Sequence, residues 1–372
     1  MIIRKSFALL LAAAGATTIA AAPAVAAPFT VEPVASFASP WAMTFLPDRD
    51  SQALVTEKGG ALWLVDVVTG QRQQVGGVPA VRVAGQGGLG DVITSRTFAS
   101  DRRVYLSFVE AGGDGTSGAA IGYGTLVTDA GVAPRLDAFR IIWRQSPKVS
   151  GDRHFSHRML LTPTNYLFVT SGDRQKFTPS QDLTGNLGKV LRLTPEGLPA
   201  TYNPWASLGG VAREFWSIGH RNMLGIARTG GGQIYVAEMG PLRGDELNLV
   251  KSKRNYGWPL VSDGDNYDGS TIPDHSTRPE FEKPVKSYPS ETIAPAGLIF
   301  YGSNRYVGWK GSLLMGGLAA QTLIRFKISN GRATETERFA MGARVREVEL
   351  AADGIVYLLE DSGRLVRLKP AP

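Results

Sequence analysis

Met43-Thr44-Phe45-Leu46, Ala53-Leu54-Val55-Thr56-Glu57 and Ala61-Leu62-Trp63-Leu64-Val65-Asp66 are three short apolar runs in close succession. The turn residues Pro47-Asp48-Arg49-Asp50 and Gly59-Gly60 separate them. Runs of four to six residues bounded by Gly, Pro and Asp read as strands joined by tight turns. The unit recurs. It returns as Met159-Leu160-Leu161, Tyr166-Leu167-Phe168-Val169-Thr170 and Lys189-Val190-Leu191-Arg192-Leu193. It returns again around Gly225-Ile226-Ala227, Gln233-Ile234-Tyr235-Val236-Ala237-Glu238 and Glu246-Leu247-Asn248-Leu249-Val250. The last copy is Val348-Glu349-Leu350, Ile355-Val356-Tyr357-Leu358-Leu359-Glu360 and Arg364-Leu365-Val366-Arg367-Leu368. Weaker copies lie at 92–109 and 297–328. Six copies at a mean spacing of roughly 57 residues, each too small to bury both of its faces, are satisfied by ring closure. The spacing predicts an all-β fold, a six-bladed β-propeller with four-stranded antiparallel blades, as one domain over 27–372. The irregular stretches 111–122 and 259–292 read as long loops on a face of the ring, where function concentrates.

Composition narrows the chemistry. Hydrophobic residues make up 43% of the 372 and charged residues 20%, which supports a large core and excludes wholesale disorder. The chain has no cysteine, so disulfides, thiolate metal sites, cysteine nucleophiles and lipoprotein acylation are all excluded. Its four histidines, His154, His157, His220 and His275, leave little material for a zinc site and point to oxygen ligands for any metal. At the N-terminus, Arg4 and Lys5 precede an apolar stretch from Phe7 to Ala22, and Ala24-Val25-Ala26 follows as a small-x-small cleavage site. Residues 1–26 therefore read as a secretory signal peptide, and the protein as periplasmic or secreted. The alternative is a membrane anchor, for which the stretch is short, since a span needs about 20 apolar residues. The formal charge of +7 falls to +5 without Arg4 and Lys5. The remaining basic residues are scattered, and Lys251-Ser252-Lys253-Arg254 is the densest group. No basic stripe of the kind that nucleic acid requires is present.

Several polar clusters fall in turns between the strands. Gly85-Gln86-Gly87-Gly88 is either a plain turn or a close-approach loop that presents one amide side chain. His154, in Arg153-His154-Phe155-Ser156-His157-Arg158, precedes the third copy, and Asp173 lies one strand away, where a hairpin return could bring it to the imidazole. A carboxylate on one ring nitrogen fixes the tautomer and frees the other as a base near neutral pH. Arg221 and Asn222 set a guanidinium beside an amide, which suits an anion or a developing oxyanion, or else a blade-to-blade salt bridge. Arg344 and Arg346 are two apart on a predicted strand, so both project from one face, into the channel or into solvent. With Glu347 as the only adjacent acid, and on the opposite face, they are expected to repel each other unless an anion binds between them. The stretch 240–246 followed by Asn255-Tyr256-Gly257-Trp258-Pro259 combines turn carbonyls with carboxylates, the chemistry of a hard cation such as calcium. The acidic loop 263–269 is not an EF-hand, because Tyr267 stands at the fifth position and the glycine is misplaced.

These residues together resemble the soluble aldose sugar dehydrogenases, the PQQ- and calcium-dependent six-bladed propellers of the soluble glucose dehydrogenase type. The resemblance runs from Pro40-Trp41 to Leu368. It rests on Gly-Gln86-Gly-Gly, His154-Phe155 with Arg158, Ser180-Gln181-Asp182-Leu183 with Gly188-Lys189, Arg221-Asn222, and the run from Glu238 to Pro259. It implies His154 as general base, Asp173 as its orienting partner, and Arg221 steadying the negative charge that develops. It implies PQQ contacts from Gln86, Arg221, Asn222, Tyr267, Arg344 and Arg346. It further implies a PQQ-bound calcium on the carbonyls of Gly240 and Pro241, and a second, structural calcium at Glu246 and the Tyr256 carbonyl. The implied reaction is oxidation of an aldose at its anomeric carbon to the lactone, by a monomer or a homodimer, with the electron acceptor unspecified. Two departures stand out. Gly316-Gly317-Leu318-Ala319 replaces the family's Gly-Ala-Leu-Lys, so a lysine expected near PQQ is missing. Ser156-His157 replaces a Gly-Gly, which places side chains beside the base. A cofactor-free propeller that binds a carbohydrate or a protein partner, and a calcium-dependent lactonase-type hydrolase, are the alternative readings.

Overall fold

A computed structural model describes residues 27–371, so the leader expected at 1–26 lies outside the described residues. The described chain forms six four-stranded antiparallel sheets, the blades of the predicted propeller. In chain order the first five span 40–75, 89–144, 156–218, 222–288 and 295–340. The sixth is built from Val345–Leu350, Val356–Glu360 and Arg364–Pro370, and its outer strand is Phe29–Ser36 from the beginning of the described chain. That strand pairs antiparallel with Arg364–Pro370, setting Val31 opposite Leu368 and Glu32 opposite Arg367. One blade thus joins both ends of the described chain and closes the ring. First strands of successive blades pack on one another all the way round, the sixth against the first included.

Position in the blade decides how legible each strand is. Second strands are enclosed on both faces: every residue of Leu167–Ser171 and of Val356–Glu360 is buried. Burial on both faces yields continuous apolar runs in place of alternation, and these are the runs visible in the sequence. Outer strands face water. Arg72–Val75 exposes its first three residues, and Arg332–Ala340 is mostly polar. The closing strand and these outer strands consequently carry no sequence signal. The stretch 111–122 is not a loop: Arg103–Ala111 and Ser117–Val127 form a long hairpin around a five-residue turn. The stretch 259–292 is largely the loop expected, interrupted by a short 3-10 turn, His275–Thr277, and the outer strand Lys286–Tyr288.

An aromatic cluster secures the closure. Trp309, about 1% exposed, stacks on Tyr306 at 4.6 Å between ring centroids. It also meets Phe29 of the closing strand at 6.0 Å and Phe339 of the fifth blade at 5.6 Å. Trp309→Ala should therefore destabilise the fold by about 3–5 kcal/mol. Equilibrium urea unfolding checks this, and an unmoved midpoint would show that the closure does not depend on the cluster.

Candidate active site

Within a blade the first strand starts, and the antiparallel second strand ends, at the same edge of the ring. The sequence-selected residues gather at that edge. Trp41, Gln86, His154, Arg221, Ala294 and Arg344 lie at or just before the starts of the six first strands. Lys58, Asp173, Gly240, Leu318 and Asp361 lie just past the ends of second strands. Two adjoining cavities open among them. One, of about 270 Å3, is lined by His154, Asp173, Gln175, Phe177, Arg221, Pro241, Trp258 and Tyr267. The other, of about 290 Å3, contains Trp41, Lys58, Gln86, Phe155, Leu318, Arg344 and Arg346. Gln86 links the two, its Oε1 accepting the His154 backbone N–H at 2.8 Å.

The hairpin return expected for Asp173 is present. His154 Nδ1 lies 2.8 Å from Asp173 Oδ1, and the carboxylate is fully buried. Asp173 is itself held on both oxygens: Oδ1 accepts the Gln175 N–H at 2.9 Å, and Oδ2 accepts Trp258 Nε1–H at 2.8 Å. Close backbone approach makes this possible, since a Cβ on Gly172 would fall 2.0 Å from the His154 carbonyl oxygen. With Nδ1 engaged, Nε2 is the nitrogen left for the cavity. Burial pushes the His154 pKa below the usual histidine value, with Arg221 and Arg153 acting in the same sense and Asp173 against them. The ring is therefore neutral, and able to act as a base, at neutral pH.

The backbone around His154 is strained. His154, Ser156 and His157 all have φ between 51° and 59°, a region that costs non-glycine residues of order 1 kcal/mol or more. Side-chain contacts hold two of these turns and aim them away from the base. Ser156 Oγ donates to Asn222 Oδ1 at 3.2 Å and accepts the Met223 N–H at 2.9 Å. His157 Nδ1 sits 2.8 Å from Ser107 Oγ, and its ring stacks on Trp41 at 5.1 Å. Its slot exists because residue 90 is glycine, where a Cβ would come within 2.0 Å of the ring. Burial lowers the His157 pKa to about 3, so this histidine is a neutral packing group.

Arg221 spans the first cavity. Its Nη1 donates to the Met239 carbonyl at 3.0 Å and its Nη2 to Tyr267 Oη at 3.3 Å. Trp258 lies under the guanidinium, 5.2 Å away, and Nε is buried without a partner among the described residues. Asn222 does not line either cavity; it is fully buried and occupied with Ser156 and Met239. Tyr267 is 67% exposed and overhangs Arg221 from the blade-4 insertion.

Arg344 and Arg346 share a face, as their spacing requires, but their repulsion is already relieved. Both grip Asp361, Arg344 Nε on Oδ2 at 2.8 Å and Arg346 Nε on Oδ1 at 2.8 Å. The expectation that they repel in the absence of a bound anion is corrected by this carboxylate, which sits at the end of the neighbouring strand. Lys58 adds a third cation to the cavity, its Nζ bonded to the Gly85 carbonyl at 2.9 Å. Burial and the nearby Arg346 lower its pKa. Ala319 confirms that no lysine follows Leu318, yet an ammonium reaches the same cavity from blade 1. Setting the six copies in register and reading the residue after each second strand would have pointed to Lys58 and Asp361.

Pro241 is buried in the wall of the first cavity. Among the described residues the carbonyls of Gly240 and Pro241 accept no hydrogen bond, which leaves both free for a hard cation. Glu246 and Tyr256 do come together in blade 4, but through a side chain. His275 Nε2 is 3.2 Å from the Tyr256 carbonyl, and its Nδ1 is 3.9 Å from Glu246 Oε1. The acidic loop 263–269 does not converge on a centre, since Asp268 bonds Ser270 and Asp263 bonds His275.

The match to known proteins follows this geometry. Residues 37–367 match the family described as Glucose / Sorbosone dehydrogenase. The chain belongs to that family. It is 37% identical over 338 residues to the aldose sugar dehydrogenase YliI of Escherichia coli, covering 89% of this chain and 90% of that one. The crystal structure of the soluble E. coli aldose sugar dehydrogenase in its apo form superposes with a TM-score of 0.86 at 36% identity, covering 92% and 99% of the two chains. The PQQ-bound aldose sugar dehydrogenase of Streptomyces coelicolor superposes with a TM-score of 0.75 at 28% identity, covering 91% and 98%. As a glucose/sorbosone dehydrogenase, the protein is an oxidoreductase acting on a sugar CH–OH group.

Trp258→Phe tests how the base is held. The ring stays, but one Asp173 oxygen loses its donor, and an unsatisfied buried acceptor costs about 1–3 kcal/mol. Equilibrium unfolding should register that loss; an unchanged midpoint would mean that the Nε1 bond does not hold Asp173.

Proposed function

We propose that the protein is a PQQ-dependent aldose sugar dehydrogenase that oxidises the anomeric carbon of an aldose to the lactone. The observation that carries this reading is the buried His154–Asp173 pair facing Arg221, next to a cavity lined by three cations. That cavity suits a flat polyanion: Lys58, Arg344 and Arg346 offer positive charge against one carboxylate, Asp361, while Trp41, Phe155 and Leu318 give apolar walls. Gln86, Arg221 and Tyr267 border it or its neighbour and complete the residues that would hold PQQ. Gly240 and Pro241 would hold calcium beside it by their carbonyls, oxygen ligands of the kind this ion takes. Bound there, PQQ would supply the two-electron acceptor for the C1 hydride, with calcium as Lewis acid.

The chain supplies the rest. His154 Nε2 takes the proton of the anomeric hydroxyl as the C1–H bond breaks and the C1–O bond becomes a carbonyl. Asp173 holds the imidazole in the tautomer this needs and stabilises the imidazolium that forms. Arg221, whose guanidinium lines the same cavity, steadies negative charge building on oxygen. Phe177 and Trp258, whose rings lie 5.6 Å apart, wall the approach and exclude water from the base. The leader ending in Ala24-Val25-Ala26 supports export to the periplasm or medium, and among the described residues no helix is long and apolar enough to cross a membrane.

His154→Ala should lower sugar-dependent dye reduction by about 10²–10⁴-fold while leaving PQQ titration of the apoprotein unchanged. The wild-type rate should hold as pH falls through 6.5 and fail only below it, because the folded pKa is depressed and protonation removes the base. A variant with more than half of wild-type turnover would dismiss His154 as base.

Arg346→Ala tests the anion cavity. A charge-assisted contact is worth roughly 1.5–3 kcal/mol, and 1.4 kcal/mol is about tenfold in affinity. PQQ binding, followed by absorbance, should weaken at least tenfold in Arg346→Ala and comparably in Lys58→Met. Equal affinities in all three proteins would place the cofactor elsewhere.

A further inference from the structure

The blade-4 insertion, 251–285, carries Trp258 and Tyr267 into the site and must be fastened to the blade it leaves. The family resemblance assigns that task to a calcium between Glu246, on the third strand of the blade, and the Tyr256 carbonyl. The residues present do not fit an ion at that point. His275, from the 3-10 turn within the same insertion, places its ring there and is about 3% exposed. Its Nε2 is 3.2 Å from the Tyr256 carbonyl oxygen, which carries no hydrogen, so the nitrogen donates. Its Nδ1 is 3.3 Å from Asp263 Oδ1 and 3.9 Å from Glu246 Oε1.

A calcium ion shared by Glu246 and Tyr256 would need both oxygens within about 2.3–2.6 Å of itself, and an imidazole ring lies between them instead. The other acceptors are also engaged. Glu246 Oε2 accepts Asn248 Nδ2–H at 2.8 Å, and Asp263 Oδ1 accepts the His275 backbone N–H at 3.1 Å. The Tyr256 ring is fixed from the other side, stacked on His220 at 4.4 Å. Among the described residues, no three ligating side chains converge on one point.

We propose that this chain binds no structural calcium between Glu246 and Tyr256, and that the His275 side chain takes the ion's place. Its imidazole bonds the Tyr256 carbonyl and Asp263 within the insertion and sets Nδ1 3.9 Å from Glu246 Oε1, on the third strand of blade 4. The loop that delivers Trp258 to Asp173 and Tyr267 to Arg221 is therefore fastened without metal, and any need for calcium is confined to the cofactor cavity.

The test uses apoprotein dialysed against EGTA and titrated with CaCl2, reading bound calcium per chain by calorimetry and the shift in melting temperature. Glu246→Gln should bind the same amount of calcium as wild type and show the same calcium-induced shift. His275→Ala, which opens a slot bordered by Glu246, Asp263 and the Tyr256 carbonyl, should gain one calcium per chain and become stabilised by it. Loss of one bound calcium in Glu246→Gln relative to wild type would overturn the proposal, as would a folded His275→Ala that gains none. If His275→Ala does not fold, the comparison of wild type with Glu246→Gln still decides. Neither measurement involves PQQ or sugar, so the outcome is separate from that of the proposed activity.

Discussion

Ring closure is the constraint on which the molecule depends. A four-stranded blade cannot cover both of its faces, so each must lie between two others, and the last must meet the first. Here the meeting is made by one strand, Phe29–Ser36, laid beside Arg364–Pro370. Closure fixes more than stability. It makes all six first strands start at one edge of the ring, and it brings residues more than 250 positions apart, such as Gln86 and Arg346, into one cavity. The site is a product of topology: no single blade contains it.

A buried ionic group among the first strands holds four blades in register. Arg158, about 4% exposed, bonds the Leu224 carbonyl through Nε at 2.8 Å and Asp91 through Nη1 at 3.2 Å, and it is paired with Glu347. Asp91 in turn accepts the Met159 N–H at 2.7 Å. Burying such charges costs several kcal/mol per ion, and the attraction among them offsets it only when geometry and hydrogen bonds are good. The group therefore contributes less to stability than to specificity, since a blade slipped by one residue would leave an unpaired charge at the centre. Arg158 also lies over Trp41, at 4.2 Å, which carries His157 on its other contacts. The buried charge thus props Trp41, a wall of the cavity that holds Lys58, Arg344 and Arg346.

How much of this was legible in the sequence follows from what each residue touches. The second strands were the most legible because both of their faces are buried, and six copies in succession, two of them weak, point to the propeller. Arg72–Val75 and Phe29–Ser36 were not, because strands facing water are free to be polar. The His154–Asp173 pair was visible because one hairpin joins its members. Trp258, Lys58 and Asp361 act on partners in other blades or across a strand end, and no local pattern records that. The two arginines suggested an anion site, but reading only their neighbours in sequence missed the carboxylate that already pairs them. His275 was hidden for a similar reason: it lies twenty-nine positions from Glu246, and loop sequence gives no register.

The last link is the rigidity of His154, the base in the proposed reaction. A general base works best when its nitrogen is fixed before substrate arrives, and that requires each supporting group to be fixed by another. His154 is positioned by strained backbone and by Asp173; Asp173 is positioned by Trp258; Trp258 comes from an insertion whose own anchor lies at His275, Tyr256 and Glu246. The chain of support runs from blade 3 into blade 4 and out to its rim. The steps from His154 to Asp173 and from Asp173 to Trp258 are hydrogen bonds among buried groups, where losing the partner costs far more than making the bond gains. A change at the rim of blade 4 is thereby transmitted to the His154 imidazole.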